Sequence, residues 1–328
     1  MAADERKAAL ERWLAGVRPD VCGALTPASA DASFRRYFRV PTEAGSLIAM
    51  DAPPAQEDSH AFVDIAARLE RAGLHVPRVL ASDIEQGFLL LSDLGTTGYL
   101  DRLDTEQADG LYREAIDALV RMQARADTTG LPEYDGDRLG AELDLFPAWY
   151  VQRHLGVEPG ARWWDAWHAV RGRLIDSALG QPRVFVHRDF MPRNLMIASP
   201  NPGVLDFQDA LAGPITYDPV CLLRDAFVSW PPETEDRWLE YYRGRAEHAG
   251  LPVCGDAARF RRDLDWMGVQ RHLKVLGIFA RLCHRDGKPH YIADAPRFLD
   301  YLAREVGPYP DLAPLRELLD ALDGRACA

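Results

Sequence analysis

The chain has 328 residues, 47% hydrophobic and 27% charged, with a formal net charge of −12; this is a globular composition, long enough for about two domains at roughly 150 residues each. The negative charge argues against a nucleic-acid partner, whose phosphates call for clustered Lys and Arg. No apolar run approaches the roughly 20 residues that span a bilayer, and the N-terminal MAADERKAALERWLAG lacks the apolar segment of a signal peptide, so no membrane partner and a cytoplasmic location are expected.

The five cysteines, Cys22, Cys221, Cys254, Cys283 and Cys327, are scattered, odd in number and without a CxxC pair, against both a disulfide framework and a zinc site. Only three lysines occur, Lys7, Lys274 and Lys288, so a mechanism that needs one has few places to find it.

In chain order, residues 4–16 read as a helix, with Asp4 as a candidate N-cap and Leu10, Trp13 and Leu14 on one face. The β-prone runs 34–40 and 46–50, joined by the turn-like PTEAG, read as a hairpin. Residues 57–72 carry Phe62, Ile65, Ala66 and Leu69 at helical spacing and stop at Gly73. Residues 78–81 and 87–91 read as two more strands, leading into LLLSDLGTTGYL. From residue 107 helical patterns dominate, over 107–126, 163–179, 217–228, 235–248, 257–283 and 295–305, with strand-like runs only at 184–186, 195–197 and 204–205. The expectation is an α+β chain with a small sheet-rich N-lobe, 1–94, and a larger, mainly helical C-lobe, 95–328.

The stretch VFVHRDFMPRNLMI places His187, Arg188 and Asp189 between apolar runs, with Asn194 five residues after Asp189 and Asp206 twelve after Asn194, in VLDFQD. This matches the kinase arrangement H-R-D-x-x-x-x-N followed by a metal-binding aspartate. A phosphoryl group in transfer carries spread negative charge, so catalysis rests on positioning and on neutralisation by Mg²⁺. Asn194 and Asp206 offer the hard oxygen donors that Mg²⁺ selects, and Asp189 is placed to accept the acceptor hydroxyl's hydrogen bond. Taken singly, each reads better as part of a charged turn or strand end; together, with strand-like flanks, they favour the kinase reading.

On these motifs the chain resembles the aminoglycoside phosphotransferase and small-molecule kinase superfamily, from ASFRRYFRV to its last helices. The resemblance implies a bilobal protein-kinase-like fold. Within that superfamily HRDFMPRNLM, GVLDFQDALAGPITYDPVCLLRDAF and QRHLKVLGIFARLCHRDGK are most similar to the anomeric kinases of N-acetylmuramate and N-acetylglucosamine in peptidoglycan recycling. It implies ATP and Mg²⁺ as cofactors, an amino sugar phosphorylated at C1, and a hinge at LLLSDLG, where the Ser92 carbonyl and the Leu94 N–H would meet adenine. Asp218, in TYDPV, resembles the acid that supports the catalytic loop from beneath.

Two parts of the family pattern are missing. TPASADASFRR, where a Gly-rich loop belongs, has no glycine, although Ala and Ser still let a backbone approach phosphates. In SLIAM the phosphate-binding lysine is replaced by Met50. Arg35 and Arg36, or Arg39, are candidates for the missing cation; the alternative is a solvated strand face.

Candidates for the acceptor site are Glu142 and Asp144 in AELDLF, Arg193, Arg224, and the group Gln270, Arg271, His272 and Lys274, of which Gln270 and Lys274 share a helix face. These residues would bind sugar hydroxyls or a lactyl carboxylate; the alternative is an exposed helix surface. Trp163, Trp164 and Trp167, at helical spacing, read as core. Two other functions stay open: kinase action on an aminoglycoside or another amino alcohol, and a nucleotide-binding regulatory module without turnover. The mixture of acids with Arg, His and Lys favours a neutral or anionic sugar over a cationic aminoglycoside. The oligomeric state is not read from the sequence.

Overall fold

A computed structural model describes residues 3–21, 23–28, 34–43, 45–104, 106–253 and 255–326. Its contacts divide the chain into two compact units, residues 1–127 with 194–209 and residues 128–193 with 210–328. Among the described residues no helix is long and apolar enough to cross a membrane.

The first unit is built on an antiparallel sheet in the order β1-β2-β3-β5-β4, formed by β1 (Thr26–Pro27), β2 (Arg36–Thr42), β3 (Gly45–Asp51), β4 (Val79–Asp83) and β5 (Phe88–Ser92). The expected hairpin forms with Thr42 opposite Gly45. Period-two alternation puts Phe38, Val40, Ala49, Phe88 and Leu90 on one face. That face buries Leu10 and Leu14 of α1 (Ala3–Val17), which begins one residue before Asp4. Met50, in the place of the family lysine, is fully buried on the opposite face.

Helix α2 (Ser59–Arg71) is capped by Asp58, which accepts from His60 N at 2.8 Å, and it buries the four residues whose spacing announced it. Gly73 ends it at φ +82°, a left-handed turn that favours glycine. The loop residues 29–33 of TPASADASFRR lie outside the described residues.

The division between units does not follow residue 94. Helix α3 (Ala108–Arg125) stays with the sheet, because Arg121 Nη1 donates to Gly73 O at 3.2 Å and Arg68 Nη1 to Asp127 O at 3.0 Å. A two-stranded ribbon, β7 (Leu195–Met196) with β8 (Gly203–Val204), joins the same unit. Its backbone bonds to two segments of that unit, Ile197 N to Thr97 O at 2.9 Å after β5 and Val204 N to His75 O at 2.8 Å between α2 and β4.

The second unit is helical apart from β6 (Arg183–Val186) paired with β9 (Leu211–Pro214). Its axis is α8 (Ala257–Asp286), 30 residues long. Around it lie α4 (Gly136–Leu143), a π-helix (Phe146–His154), α5 (Ala161–Leu179), α6 (Tyr217–Leu223), α7 (Pro232–His248), α9 (Ala295–Val306) and α10 (Ala313–Ala326). Gly277 lets α8 approach the chain at Leu145, whose carbonyl carbon would lie 2.5 Å from a Cβ there. Trp167 is fully buried in this core and Trp163 and Trp164 pack against it.

The expected helix over 217–228 stops at Leu223; Arg224, at φ −122° and ψ 66°, leaves the helix, and its side chain joins a buried ion cluster. Unanticipated are α4, short and glycine-containing, the π-helix, α10, and β9, whose LAGP has little strand character alone.

Candidate active site

The spacing of Asn194 and Asp206 has a plain structural cause. In the β7–β8 ribbon Leu195 faces Val204 and Met196 faces Gly203, so the chain doubles back within twelve residues. The bond from Leu205 N to Asn194 O, 2.9 Å, closes its open end. Asn194 Nδ2 then lies 3.5 Å from Asp206 Oδ2, and Gln208 Nε2 donates to Asp206 Oδ1 at 2.8 Å. Asp206 adopts φ +61°, uncommon for a side-chain-bearing residue and a conformation that recurs at functional sites. A carboxylate beside an amide, both hard-oxygen donors at one ribbon end, fits a Mg²⁺ ion.

In the second unit β6 delivers His187, Arg188 and Asp189. His187 is fully buried, edge-on to the Phe190 ring at 5.7 Å. Asp218, in the first turn of α6, accepts from His187 N at 2.7 Å and from Arg188 N at 2.9 Å. Burial pushes the Asp218 carboxyl up to about 7, against those two N–H groups, which favour its ionised form. Arg188 sits at φ +78°, and its carbonyl accepts from Cys221 Sγ at 3.1 Å. Burial holds that thiol up at about 12, so Cys221 stays protonated and donates. Arg271 Nε donates to the same sulfur at 2.9 Å. Asp189 follows Arg188 half-buried, its N–H 3.3 Å from His187 Nδ1.

Three acceptor-site candidates meet, and they do so below the surface rather than on an exposed helix face. Glu142 accepts from Arg188 Nη2 at 2.6 Å, Lys274 Nζ at 3.0 Å, Gln270 Nε2 at 3.2 Å and the Tyr134 hydroxyl. Lys274 Nζ also donates to the Tyr217 hydroxyl at 3.0 Å. Burial alone would raise the Glu142 carboxyl; Lys274 and Arg188 outweigh it and hold it below its ordinary value. Burial likewise pulls on Lys274, but Tyr217 and Glu142 keep it fully protonated. Arg188 stands out in the sequence only as part of the H-R-D motif, and Tyr134 and Tyr217 do not stand out; a Glu sequestered with two cations is found only once the helices are packed.

The other candidates lie apart from that cluster. Asp144 is exposed and pairs with Arg171 at 2.8 Å. Arg193 is exposed and lies over the Phe227 ring at 5.0 Å. Arg224 bonds to Glu305 and Asp265, both at 2.7 Å, and His272 Nδ1 lies 2.9 Å from Glu305 Oε2, a buried lattice joining α6, α8 and α9. These two positions are structural in this fold.

In the first unit Arg35 pairs with Glu57 at 2.7 Å, and Arg36 Nε donates to Asp51 Oδ2 at 3.0 Å. Fully buried Asp51, next to Met50, also accepts from Arg6 Nε at 2.8 Å. Arg39 binds Asp93 through Nε and Nη2, at 2.6 and 3.1 Å, and thereby braces the segment that holds Ser92 and Leu94. Asp93 also accepts from Gly95 N at 2.9 Å.

Comparison with known proteins places the chain in a family. The family model described as "Phosphotransferase enzyme family" matches residues 24–254. The N-acetylmuramate/N-acetylglucosamine kinase of Pseudomonas aeruginosa is 54% identical over 98% of this chain and 98% of its own. The protein of the same name from Caulobacter vibrioides is 32% identical over 83% of this chain and 85% of its own. Among solved structures, a choline/ethanolamine kinase family protein from Mesorhizobium loti covers 98% of this chain and 99% of its own at TM-score 0.61 and 16% identity. An ADP-bound aminoglycoside phosphotransferase, APH(2'')-Ib, covers 91% of this chain and 98% of its own at TM-score 0.59 and 14% identity. These structures establish the shared protein-kinase-like fold.

Proposed function

This chain belongs to the phosphotransferase enzyme family, and we propose that it transfers the γ-phosphoryl group of ATP to the anomeric C1 hydroxyl of N-acetylmuramate and N-acetylglucosamine. The observation that carries the choice of acceptor is the near-full-length likeness to kinases of that name. An α+β chain holding Asp189, Asn194 and Asp206 in kinase order supports the reaction type.

In this reading Asp189 accepts the hydrogen bond of the C1 hydroxyl, aims its oxygen at the γ-phosphorus and takes up the proton as the new O–P bond forms. The bond from the γ-phosphorus to the bridging oxygen breaks and ADP leaves. Asn194 and Asp206 would hold Mg²⁺, which would neutralise phosphate charge. The Ser92 carbonyl and Leu94 N–H receive adenine, in a segment braced by Asp93 and Arg39. Arg35 and Arg36 supply the cation that the family places on the strand now carrying Met50. On the acceptor side the exposed Arg193 and Asp144 are proposed to face the sugar, while Gln270, fully buried, and Lys274 support the site from the Glu142 cluster. The reaction is assigned to the cytoplasm, in the recycling of cell-wall amino sugars.

The test is incubation of the purified protein with Mg·ATP and N-acetylmuramate, N-acetylglucosamine, glucosamine or kanamycin, followed by phosphorus NMR. A new anomeric phosphate resonance with the N-acetylated sugars is expected. Product on kanamycin alone would assign the chain to aminoglycosides, and no product with any acceptor would leave only nucleotide binding. Asp189→Asn should abolish turnover while ATP binding persists; normal turnover would remove Asp189 from the reaction.

A further inference from the structure

The sequence points to Glu142 as a sugar ligand, but its surroundings leave it little room to be one. Both carboxylate oxygens are occupied, Oε1 by Arg188 at 2.6 Å and Lys274 at 3.0 Å, Oε2 by Gln270 at 3.2 Å and the Tyr134 hydroxyl. A carboxylate offers about four lone-pair sites, and four donors already take them. Only 14% of its side chain is exposed. For a sugar hydroxyl to bind there, a buried charge would have to lose one of these partners.

What Glu142 does hold is Arg188. That residue's φ of +78° is a conformation that costs about 1–3 kcal/mol and persists only where its surroundings over-determine it. The restraints are present. Asp218 accepts from its N–H, its carbonyl accepts from Cys221, its guanidinium lies 5.8 Å from the Tyr134 ring centroid, and Glu142 takes its Nη2. Arg188 is bonded directly to Asp189, so the peptide between them orients the Asp189 carboxylate. The same Glu142 separates two cations, Arg188 and Lys274, which would otherwise face one another in a site poor in water.

We propose that Glu142 is a positioning residue for Asp189, acting through Arg188, rather than a ligand of the acceptor sugar. The inference rests on the reading of Asp189 as the group that receives the acceptor hydroxyl.

Steady-state kinetics of Glu142→Gln with varied sugar and varied ATP, together with nucleotide affinity measured by calorimetry, test it. The expected result is a drop in kcat of about 100-fold, the size of loss that a shift of about 1 Å in a reacting group produces. KM for the sugar and Kd for ATP should stay within about threefold. Because Glu142 acts through Arg188, the double variant Glu142→Gln/Arg188→Gln should lose about as much as the worse single variant. A rise of about tenfold or more in sugar KM with kcat unchanged, or additive losses in the double variant, would overturn the proposal. Should Glu142→Gln fail to fold by circular dichroism, Glu142→Asp, which keeps the charge and shortens its reach, is read by the same split. Asp189→Asn separates the two readings. If it turns over normally, the role of Asp189 falls; if it is dead while Glu142→Gln alters only sugar KM, only the positioning role falls.

Discussion

Asp218→Ala would remove the acceptor of two backbone N–H groups, those of His187 and Arg188, which it holds at 2.7 and 2.9 Å in full burial. Each buried donor left without a partner costs about 1–3 kcal/mol, so the pair sets a loss of about 2–6 kcal/mol. Deleting a carboxyl that burial already penalises offsets part of this, which favours the lower half, about 2–3 kcal/mol. In a unit of this size about 1 kcal/mol shifts Tm by roughly 2–4 °C, so a fall of about 4–12 °C is expected by differential scanning calorimetry. Activity should fall further than stability, because the two freed N–H groups belong to the residues just before Asp189. Asp218→Asn keeps one acceptor oxygen and should lose about half as much. A variant Asp218→Ala that melts within about 1 °C of the parent and keeps its kcat would refute the reasoning, since the loop would then be held by something other than this carboxylate.

The pH response of the same group has a definite sign. Its carboxyl is pushed up to about 7 in the fold, while an unfolded Asp titrates near about 3.9. The folded chain therefore keeps a proton that the unfolded chain has lost; the resulting stabilisation is complete below about pH 4 and is lost as pH rises through about 7. The Tm advantage of the parent over Asp218→Asn should narrow between pH 5 and 8, and a gap that widens contradicts the assignment. Gly277→Ala puts a methyl 2.5 Å from the Leu145 carbonyl carbon, an overpacking expected to cost about 1–3 kcal/mol by urea denaturation. Gly244→Ala in α7, with nothing within 4 Å of the added carbon, should instead gain up to about 1 kcal/mol; equal midpoints for the two would show that α8 does not need its close approach. Arg35→Gln/Arg36→Gln should raise KM for ATP by about tenfold or more with sugar KM nearly constant, as loss of charge-assisted phosphate contacts requires. An unchanged ATP KM would send the search for the missing cation elsewhere.

Much of the fold was legible because its signals are local. Helix α2 follows from four apolar residues at helical spacing between an Asp cap and a glycine stop, and the hairpin of β2 and β3 from alternation around a turn. What escaped is equally physical. LAGP pairs as β9 only because β6 lies beside it, and GDRLGAEL is helical with two glycines because Asp135 caps it and Leu139 and Leu143 are buried. Helix α6 ends where a buried Arg224 finds its carboxylates, an event without a sequence signature at residue 224.

The chemistry divides along the same line. By itself the sequence determined the order and spacing of Asp189, Asn194 and Asp206, because Asn194 and Asp206 are brought together by a ribbon that closes within twelve residues. Only the tertiary structure decided that Glu142 meets Gln270, 128 residues away, together with Lys274 and Arg188, and that Arg36 and Arg6 converge on buried Asp51. The worth of a charge pair depends on how far burial removes it from water. Burial is a property of packed elements, which no short stretch of chain carries.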